Sequence, residues 1–394
     1  MQAGVGTGAA RADLWPHGGA AGRPPASRFP EVDCMRPMLA PGIIAAAEDR
    51  ADKTGFGADR ALIAAGAVGE DDYLRALGAA TRVAFEPLDR VSRDRCPLSD
   101  ERLIDAAAAG LLPLIEGDGL RLVVAPRGQA TRRLLRLVDD DPAQARRFCF
   151  TSAARLNGFV LRHASQAIAA RAAERLAQVW PMLSAAPSAK RGTRWPVLAA
   201  GLLTLAAAAA APGITLLACE LMLAAVFLAW LGLRLFCATL EQPGPPPMAG
   251  GGDDTLPVYT VIAALYREAA SVDGLLSALE RLDYPREKID LIIAVEADDR
   301  ETRAALAARI HRLPVTVIPV PSGGPRTKPK ALNVALPFAH GTFATVYDAE
   351  DRPEPNQLRR ALQAFAAGDD NLACVQARLC IDNTGDSWLA RGLR

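Results

Sequence analysis

The stretch IDLIIAVEADD, residues 289–299, indicates how the carboxy-terminal part of this chain folds. Its first seven residues are almost all aliphatic, and a short apolar run of this kind predicts a buried strand. The run ends in an acidic group that contains Glu296, Asp298 and Asp299. The sequence therefore predicts a core strand that carries carboxylates at its carboxyl end.

The same pattern of strand and helix repeats on both sides of this stretch. We predict further strands at 258–264, 315–320, 343–347 and 372–378, and helices at 269–282, 301–312, 330–339 and 355–366. Strands that alternate with helices of this length are typical of βαβ units and a mainly parallel sheet. Ligands of such sheets bind outside the carboxyl ends of the strands, so we expect the functional residues there.

Polar residues directly follow three of these predicted strands. They are YRE at 266–268, EADD at 296–299 and DAED at 348–351. Three acidic groups at one edge would repel each other unless a cation lay among them, and Mg²⁺ or Mn²⁺ suits carboxylate ligands. The segment SGGPRTKPKALN at 322–333 adds Arg326, Lys328 and Lys330, which would favour a diphosphate. The sequence has no GxxxxGK[ST] motif, which excludes an ordinary P-loop.

The order of these motifs resembles family 2 glycosyltransferases of the GT-A fold, the inverting class that includes membrane-bound, cellulose-synthase-like enzymes. YRE is similar to the Y-N-E-like end of their first strand, and EADD to the acidic pair that faces uracil and ribose. KPKALN at 328–333 resembles their K-x-x-A-L-N segment, and DAED resembles their DxD-like metal motif. The resemblance implies an α/β, Rossmann-like nucleotide-sugar domain over residues 255–394.

The resemblance also implies a role for individual residues. The nucleotide-sugar would contact Tyr266, Glu268, Glu296, Lys328 and Asn333, and Asp298 is the alternative to Glu296 at the first acidic position. The metal cofactor, Mg²⁺ or Mn²⁺, would be held by Asp348 and Glu350, or by Asp351 in place of Glu350. Lys328 would neutralise the diphosphate, and Glu268 and Glu296 would shape the nucleoside pocket.

The resemblance continues through VQARLCIDNTGDSWLARGL at 375–393 and then stops. In this family the general base comes from a T/E-E-D-type motif downstream of DxD, and neither that motif nor Q-x-x-R-W occurs before Arg394. We therefore name no catalytic residue and expect the base beyond Arg394. We also expect the chain to be carboxy-terminally truncated, its GT-A domain incomplete, and the chain inactive by itself.

A membrane hairpin is predicted between two soluble parts. Residues 195–211 and 214–236 are apolar, and Pro212-Gly213 lies between them where a turn would form. The basic residues that flank this segment are Lys190, Arg191, Arg194 and Arg234. Positive charge on both flanks predicts an inner-membrane protein with two spans at 195–237 and with both soluble domains in the cytoplasm.

The amino-terminal part is predicted to contain a disordered tail at 1–40, an α+β domain at 41–185 and, after the hairpin, a Pro/Gly linker at 238–254. The stretches at 61–89 and 111–128 resemble the amino-terminal domain of type II secretion and pilus ATPases. In that family an RLGxxLLxxG motif helps to bind cyclic di-GMP. Leu62, Ile63 and Gly66 fit its second half, but residues 57–59 do not fit its beginning, so we expect weak binding or none.

Composition restricts the function further. The chain has 45 Lys and Arg against 44 Asp and Glu, so no global positive field favours nucleic acid. We expect inverting transfer of a sugar from a nucleotide-diphosphate sugar to a polysaccharide or glycan acceptor at the cytoplasmic face of the membrane. The alternative is a non-enzymatic membrane adaptor whose transferase fold binds nucleotide but is catalytically incomplete.

Overall fold

The computed structural model describes residues 27–117, 119–184, 194–240, 252–309 and 314–377. These residues form an amino-terminal α+β unit, two apolar helices and a carboxy-terminal α/β unit. Each of the two compact units contains a four-stranded sheet.

The amino-terminal unit places seven helices around a short mixed sheet. The helices are α1 (Pro41–Thr54), α2 (Ala58–Ala64), α3 (Glu70–Thr81), α4 (Asp100–Ala109), α5 (Gln129–Asp140), α6 (Ala153–His163) and α7 (Ser165–Val179). The strands are β1 (Ala84–Phe85), β2 (Leu111–Glu116), β3 (Gly119–Val124) and β4 (Phe148–Phe150), in the order β1-β4-β3-β2. β2 and β3 are antiparallel neighbours and form a hairpin.

Ordered structure begins before the predicted boundary. A 3₁₀ helix at Pro30–Met35 buries the Glu31 side chain, whose carboxylate accepts a hydrogen bond from the Ala58 N–H (3.0 Å) and another from Arg132 (2.6 Å). Its buried apolar neighbours are Phe29, Val32 and Met35. The prediction of a disordered tail is therefore wrong for residues 27–40, because this segment supplies part of the core. The rest of that tail lies outside the described residues.

Two apolar helices follow, α8 (Arg194–Ala210) and α9 (Pro212–Thr239). Among the described residues, α9 is the one helix that is long and apolar enough to cross a membrane, judged by length and composition. α8 is apolar from residue 195 to 210 but shorter. The break falls at Ala211, and Pro212 starts α9, a position in which its missing N–H costs nothing. The two-span hairpin therefore stays a prediction.

The carboxy-terminal unit is built on a parallel sheet. Its strands are β5 (Tyr259–Leu265), β6 (Ile289–Glu296), β7 (Val315–Val320) and β8 (Phe343–Tyr347), in the order β7-β6-β5-β8. Its helices are α10 (Val272–Glu280), α11 (Arg300–Arg309), α12 (Lys328–Ala335) and α13 (Gln357–Ala367). All three strand pairs are parallel, which confirms the predicted α/β class.

The fifth predicted strand of this unit is not formed in the described part of 372–378. Residues 372–377 have no strand structure and are mostly exposed, and residue 378 lies outside the described chain. An apolar run becomes a strand only where a neighbouring edge supplies hydrogen bonds and cover. The prediction of a strand is therefore wrong for 372–377.

The two units share one hydrophobic core. One cluster of buried side chains joins α4, α6 and α7 to one face of the sheet β5–β7 and to α12. Its members nearest the junction include Leu156, Phe159, Val160, Ile168 and Ala172 on one side, and Ile262, Ile292, Ile318, Ala331 and Val334 on the other. α12 therefore lies between the parallel sheet and the amino-terminal unit, an arrangement that the sequence did not predict.

The end of the predicted linker is held in place. Lys288 is buried, and its ammonium donates to the carbonyl oxygens of Asp253 (2.7 Å), Asp254 (3.2 Å) and Leu256 (2.6 Å). The start of the linker belongs to α9, which continues to Thr239, and residues 241–251 lie outside the described chain. The segment just before β5 is therefore fixed to the carboxy-terminal unit.

Candidate functional site

The loops that follow β5, β6, β7 and β8 meet at one edge of the sheet. Because all four strands run parallel, their carboxyl ends lie on the same side. The loops after β5, β6, β7 and β8 contain the predicted groups YRE, EADD, the basic segment and DAED, respectively. The fold thus brings the predicted motifs to the same edge.

Arg326 joins three of these loops. Its Nη2 donates to an Asp298 Oδ (2.6 Å), and its Nη1 donates to the Tyr266 hydroxyl (3.1 Å). The guanidinium carbon also lies 5.9 Å from the centre of the Tyr266 ring. Arg326 and Asp298 are about half exposed, and an exposed ion pair of this kind contributes little stability. The guanidinium can therefore exchange the carboxylate for an anionic ligand at small cost.

Lys328 joins the basic segment to the loop after β8. Its ammonium forms an ion pair with the Asp348 carboxylate, and both side chains are about half exposed. Lys328 is the first residue of α12, and the Thr327 hydroxyl caps that helix by accepting the Lys330 N–H (3.4 Å). Cap and helix together fix the position from which Lys328 reaches the edge.

The DAED group forms a closed turn. The Asp348 N–H donates to an Asp351 Oδ (2.7 Å), and the Asp351 N–H donates to the Asp348 carbonyl (3.1 Å). Glu350 is exposed in this turn. Asp348 and Asp351 therefore lie close together, with one Asp351 oxygen already engaged in holding the turn.

Glu296 is buried at the end of β6, and its Oε2 has no hydrogen-bond partner among the described residues. Burial raises the pKa of this carboxyl, and the nearby negative charge of Asp298 raises it further. The positive charges of Lys330 and Arg326 lower the pKa, but its net direction is upward. A buried acceptor without a partner is costly, so this oxygen suits a ligand that brings a hydroxyl.

Asp299 is a site residue to which the sequence analysis gave no separate role. Its carboxylate accepts the Arg267 N–H (2.5 Å) and the Thr302 N–H (3.1 Å). Burial raises its pKa, but the hydrogen bonds from these two amides outweigh burial and hold the pKa below its ordinary value. Arg267 has a φ of +58°, an unusual conformation that this contact holds.

Glu268 belongs to the same fixed loop. Its N–H donates to the Thr302 hydroxyl (3.0 Å), and its carboxylate accepts the Ser271 hydroxyl (3.2 Å). The signal that could have identified Asp299 is its position next to Asp298, two residues before the helix predicted at 301–312.

Two predicted residues point away from the edge. Lys330, which was expected to favour a diphosphate, is buried and donates to the carbonyl oxygens of Pro321 (2.8 Å) and Gly323 (2.6 Å). Asn333 donates its Nδ2–H to the Ala172 carbonyl in α7 (2.9 Å). Lys330 therefore supports the loop that carries Arg326, a correction to its predicted position. Asn333 contacts the amino-terminal unit, and these contacts do not join it to the other predicted residues.

The residues at this edge fit a metal site only if a bound substrate supplies the remaining metal ligands. Within the described parts of the chain, no group of three or more His, Cys, Asp or Glu side chains is arranged to hold a metal ion. Mg²⁺, however, often takes one or two carboxylates and completes its shell with substrate phosphates. Asp348, whose carboxylate already faces a cationic ammonium, fits such a site, and Asp351 or Glu350 could supply the second carboxylate.

The family comparison agrees with this geometry. Residues 257–393 match the family described as "Glycosyltransferase like family 2". This match covers the whole parallel sheet and every loop at its carboxyl edge. Residues 257–393 are therefore similar to family 2 glycosyltransferases, in agreement with the resemblance of the motifs.

One curated relative is similar over part of its length. It is the "Beta-monoglucosyldiacylglycerol synthase" of Synechocystis sp. (strain ATCC 27184 / PCC 6803 / Kazusa), 29% identical over 163 residues. The similarity covers 41% of this chain and 33% of the relative. The chain thus spans about a third of the length of that relative.

Three solved structures show weak likeness. The mannosyltransferase PcManGT from Pyrobaculum calidifontis, in complex with GDP-Man and Mn²⁺, is 24% identical with a TM-score of 0.29, over 38% of this chain and 43% of that one. The structure of MshE with cdg is 19% identical with a TM-score of 0.27, over 34% of this chain and 97% of that one. S. aureus TarS 1-349 is 21% identical with a TM-score of 0.25, over 31% of this chain and 39% of that one.

Proposed function

We propose that the chain binds a nucleotide-diphosphate sugar at the carboxyl edge of its parallel sheet and serves in the inverting transfer of that sugar. One observation carries the proposal: Arg326 and Lys328 connect all four strand-end loops through contacts with Tyr266, Asp298 and Asp348. A cluster of half-exposed cations that are paired with carboxylates is suited to receive a diphosphate.

The charges at this edge are arranged for a leaving group that becomes more negative. In sugar transfer the acceptor hydroxyl attacks C1 of the sugar while the nucleotide diphosphate departs. Lys328 and Arg326 would turn from their carboxylates towards the phosphates and stabilise that charge. Because each cation already points to the edge, little reorganisation is needed at the moment of transfer.

The carboxylates would divide between the nucleoside and the cofactor. Glu296, with its orphaned oxygen, would accept a hydroxyl of the nucleoside, while Asp299 and Glu268 hold the loop around it. Asp348, with Glu350 or Asp351, would hold Mg²⁺ or Mn²⁺. When bound, the cation would supply further positive charge to the departing diphosphate.

The acceptor and the location belong to the same proposal. α9 has the length and composition of a membrane span, and the basic residues around the apolar segment favour cytoplasmic placement of both soluble units at the inner membrane. We propose a glycan or polysaccharide acceptor at that face. The curated relative is named for a glucosylated diacylglycerol, which makes a lipid acceptor the main alternative.

A second function is favoured by one specific observation. The Lys328 and Asp348 side chains, one proposed for the diphosphate and one for the metal, neutralise each other, so the edge is electrostatically satisfied without either ligand. A membrane adaptor that senses nucleotide without turning it over would have this property. Sugar transfer by the chain would rule out the adaptor.

Sugar transfer by the full chain tests the proposal. Membranes that contain the protein are incubated with radiolabelled uridine and guanosine diphosphate sugars, and label is counted in the lipid extract and in the aqueous polymer. The motif resemblance predicts that this chain is inactive by itself, so time-dependent transfer would overturn that expectation and rule out the adaptor. Asp348→Asn should abolish such transfer, and Glu354→Gln, an exposed carboxylate in the same loop, should leave it unchanged. Donor binding without transfer would agree with the expected inactivity and with the adaptor. Absence of both would contradict the proposal.

A further inference from the structure

The carboxy-terminal end of α7 exposes a set of apolar side chains that no described residue covers. The set, here called the α7 apolar end, consists of Leu176, Val179, Trp180, Met182 and Leu183. Trp180 is 62% exposed and Met182 is 95% exposed. Large apolar side chains grouped in this way mark an interaction surface.

The α7 apolar end continues a stripe that is buried further up the helix. Ile168 and Ala172 pack in the core shared with α12, and Leu176 follows at the same four-residue spacing. α7 ends at Val179, and Trp180, Met182 and Leu183 follow it in the cap and in a short 3₁₀ helix, where all three are exposed. The apolar side chains therefore continue past the part of α7 that α12 covers, and among the described residues nothing covers them.

Continuity with the apolar helices identifies that partner. The apolar stretch at 195–210 begins a short distance after Leu183 in the sequence and leads into α9. Lys190, Arg191 and Arg194 precede this stretch, and basic residues at such positions suit anionic headgroups. Tryptophan is enriched at membrane interfaces, where its ring is half in water and half in lipid. Each of these features matches a phospholipid surface.

We propose that the α7 apolar end is a membrane-interface surface whose partner is the phospholipid bilayer. The inference rests on the proposed membrane attachment and adds to it a second contact, made by the amino-terminal unit. An amphipathic helix end of this kind lies in the headgroup region with its apolar side chains turned to the acyl chains.

The contact would fix the donor edge near the membrane. A Cβ placed on Gly324, in the loop that carries Arg326, would lie 3.8 Å from the Cβ of Ala173 in α7. Ala173 is seven residues from Trp180, which is about 10 Å along a helix. Sugar transfer would then take place close to the bilayer surface, where an acceptor held in the membrane can reach the donor.

Oxidation of methionine in the native chain tests the inference without any substitution. The full chain in phospholipid vesicles is exposed briefly to hydroxyl radicals, and sulfoxide is measured at each methionine by mass spectrometry. Met182 should be oxidised several-fold more slowly than Met38, although Met38 is less exposed, at 57%. Met222 in α9 reports membrane insertion and should also be protected.

The outcomes separate this inference from the proposal on which it rests. Fast oxidation of Met182 with a protected Met222 would overturn the inference and leave the membrane attachment intact. Fast oxidation of both would contradict the attachment, and the inference would fall with it.

Lipid quenching of tryptophan then distinguishes lipid from a protein cover. Vesicles with lipids brominated near the headgroup should quench the full chain, and Trp180→Phe should remove part of that quenching. Adding Glu174→Trp to the Trp180→Phe variant places a tryptophan on the other face of α7, and this tryptophan should not restore the lost quenching. Quenching that is the same with and without Trp180 would show that protein covers the surface and would overturn the inference.

Discussion

Two buried charges hold the loops at the sheet edge, and each does so through backbone groups. Asp299 accepts two amide hydrogens, and Lys330 donates to two carbonyls of the loop before α12. Their side chains are satisfied without any ligand, whereas Arg326 and Lys328 pair with half-exposed carboxylates and one Glu296 oxygen has no partner in the described chain. The edge thus consists of a fixed frame and a smaller set of residues that remain available to a ligand.

A different buried charge allows a prediction about pH. Asp59 in α2 is buried, one of its oxygens has no partner within the described chain, and the other accepts the Thr131 hydroxyl (3.2 Å). Burial raises the pKa of Asp59 to about 6, with Arg60 opposing the rise. Between about pH 4 and pH 6 the folded protein therefore holds a proton that the unfolded chain has lost, so stability falls as pH rises through this window.

Asp59→Asn should remove this cost. At pH 7.5 the variant should be more stable than the original chain by up to about 3 kcal/mol, because the pKa of Asp59 is raised from 3.8 to about 6. It should therefore unfold at a higher temperature. The gain should shrink as the pH falls from 6 to 4, because the original Asp59 is then protonated. Thermal unfolding in detergent across this range measures the difference, with the exposed Asp49→Asn as the control. An equal gain at every pH would contradict the assignment.

At the scale of single residues, the sequence predicted where a residue lies in the fold better than where its side chain points. The carboxyl ends of parallel strands must share an edge, so the placement of Glu296, Asp298 and Asp348 followed from the strand pattern alone. Lys330 and Asn333 differ, because their side chains turn towards a backbone loop and towards α7. Neither contact has a signal in the local sequence, since both depend on packing between distant segments.

Among the helices, α12 links the candidate site to the rest of the molecule. It carries Lys328 at its first turn, it packs against the sheet through Ala331 and Val334, and it meets α7 on its other side. A shift of α7 would therefore move the amino terminus of α12 and the ammonium that it positions.

Ala172→Leu tests this link. Ala172 is buried where α7 meets α12, and the larger side chain should force the two helices apart at a cost of about 1–3 kcal/mol. We expect a lower unfolding temperature and weaker binding of a nucleoside diphosphate. Ala170→Leu makes the same change at an exposed position of α7 and should alter neither quantity. If the two variants bind nucleotide equally well, α7 does not position Lys328.

Strand and helix positions could be predicted where the chain offers a strong local signal. β6 and β7 are mostly apolar, and the prediction agrees with their observed bounds to within one residue. α12 begins two residues before its predicted start, because the Thr327 cap and Pro329 both favour a helix amino terminus there. Residues 372–377 carry a similar apolar run but pair with neither described edge strand, β7 or β8, and a local pattern does not show which runs find a partner.

For the molecule as a whole, the main feature is the shared core. A parallel sheet needs cover on both faces, and the helices α10, α11 and α13 pack over only one of them. The amino-terminal unit and α12 cover the other face. The sequence showed a Pro/Gly-rich segment and two apolar helices between the units, which favoured separate domains. The packing of the units is a long-range property that neither composition nor periodicity records.

Binding of a nucleoside diphosphate tests most directly whether this edge is a donor site. Calorimetry on the full chain in detergent, with uridine and guanosine diphosphate, compares Mg²⁺ or Mn²⁺ with excess EDTA. Diphosphate and the Asp348 turn are both anionic, so binding should require the cation. Lys328→Ala should weaken binding by about 1.5 to 3 kcal/mol, the range for a hydrogen bond to a charged group. Asp348→Asn should weaken binding in the presence of the cation, and Glu354→Gln should have no effect. Equal affinity with and without the cation, together with no effect of Asp348→Asn, would contradict the donor site.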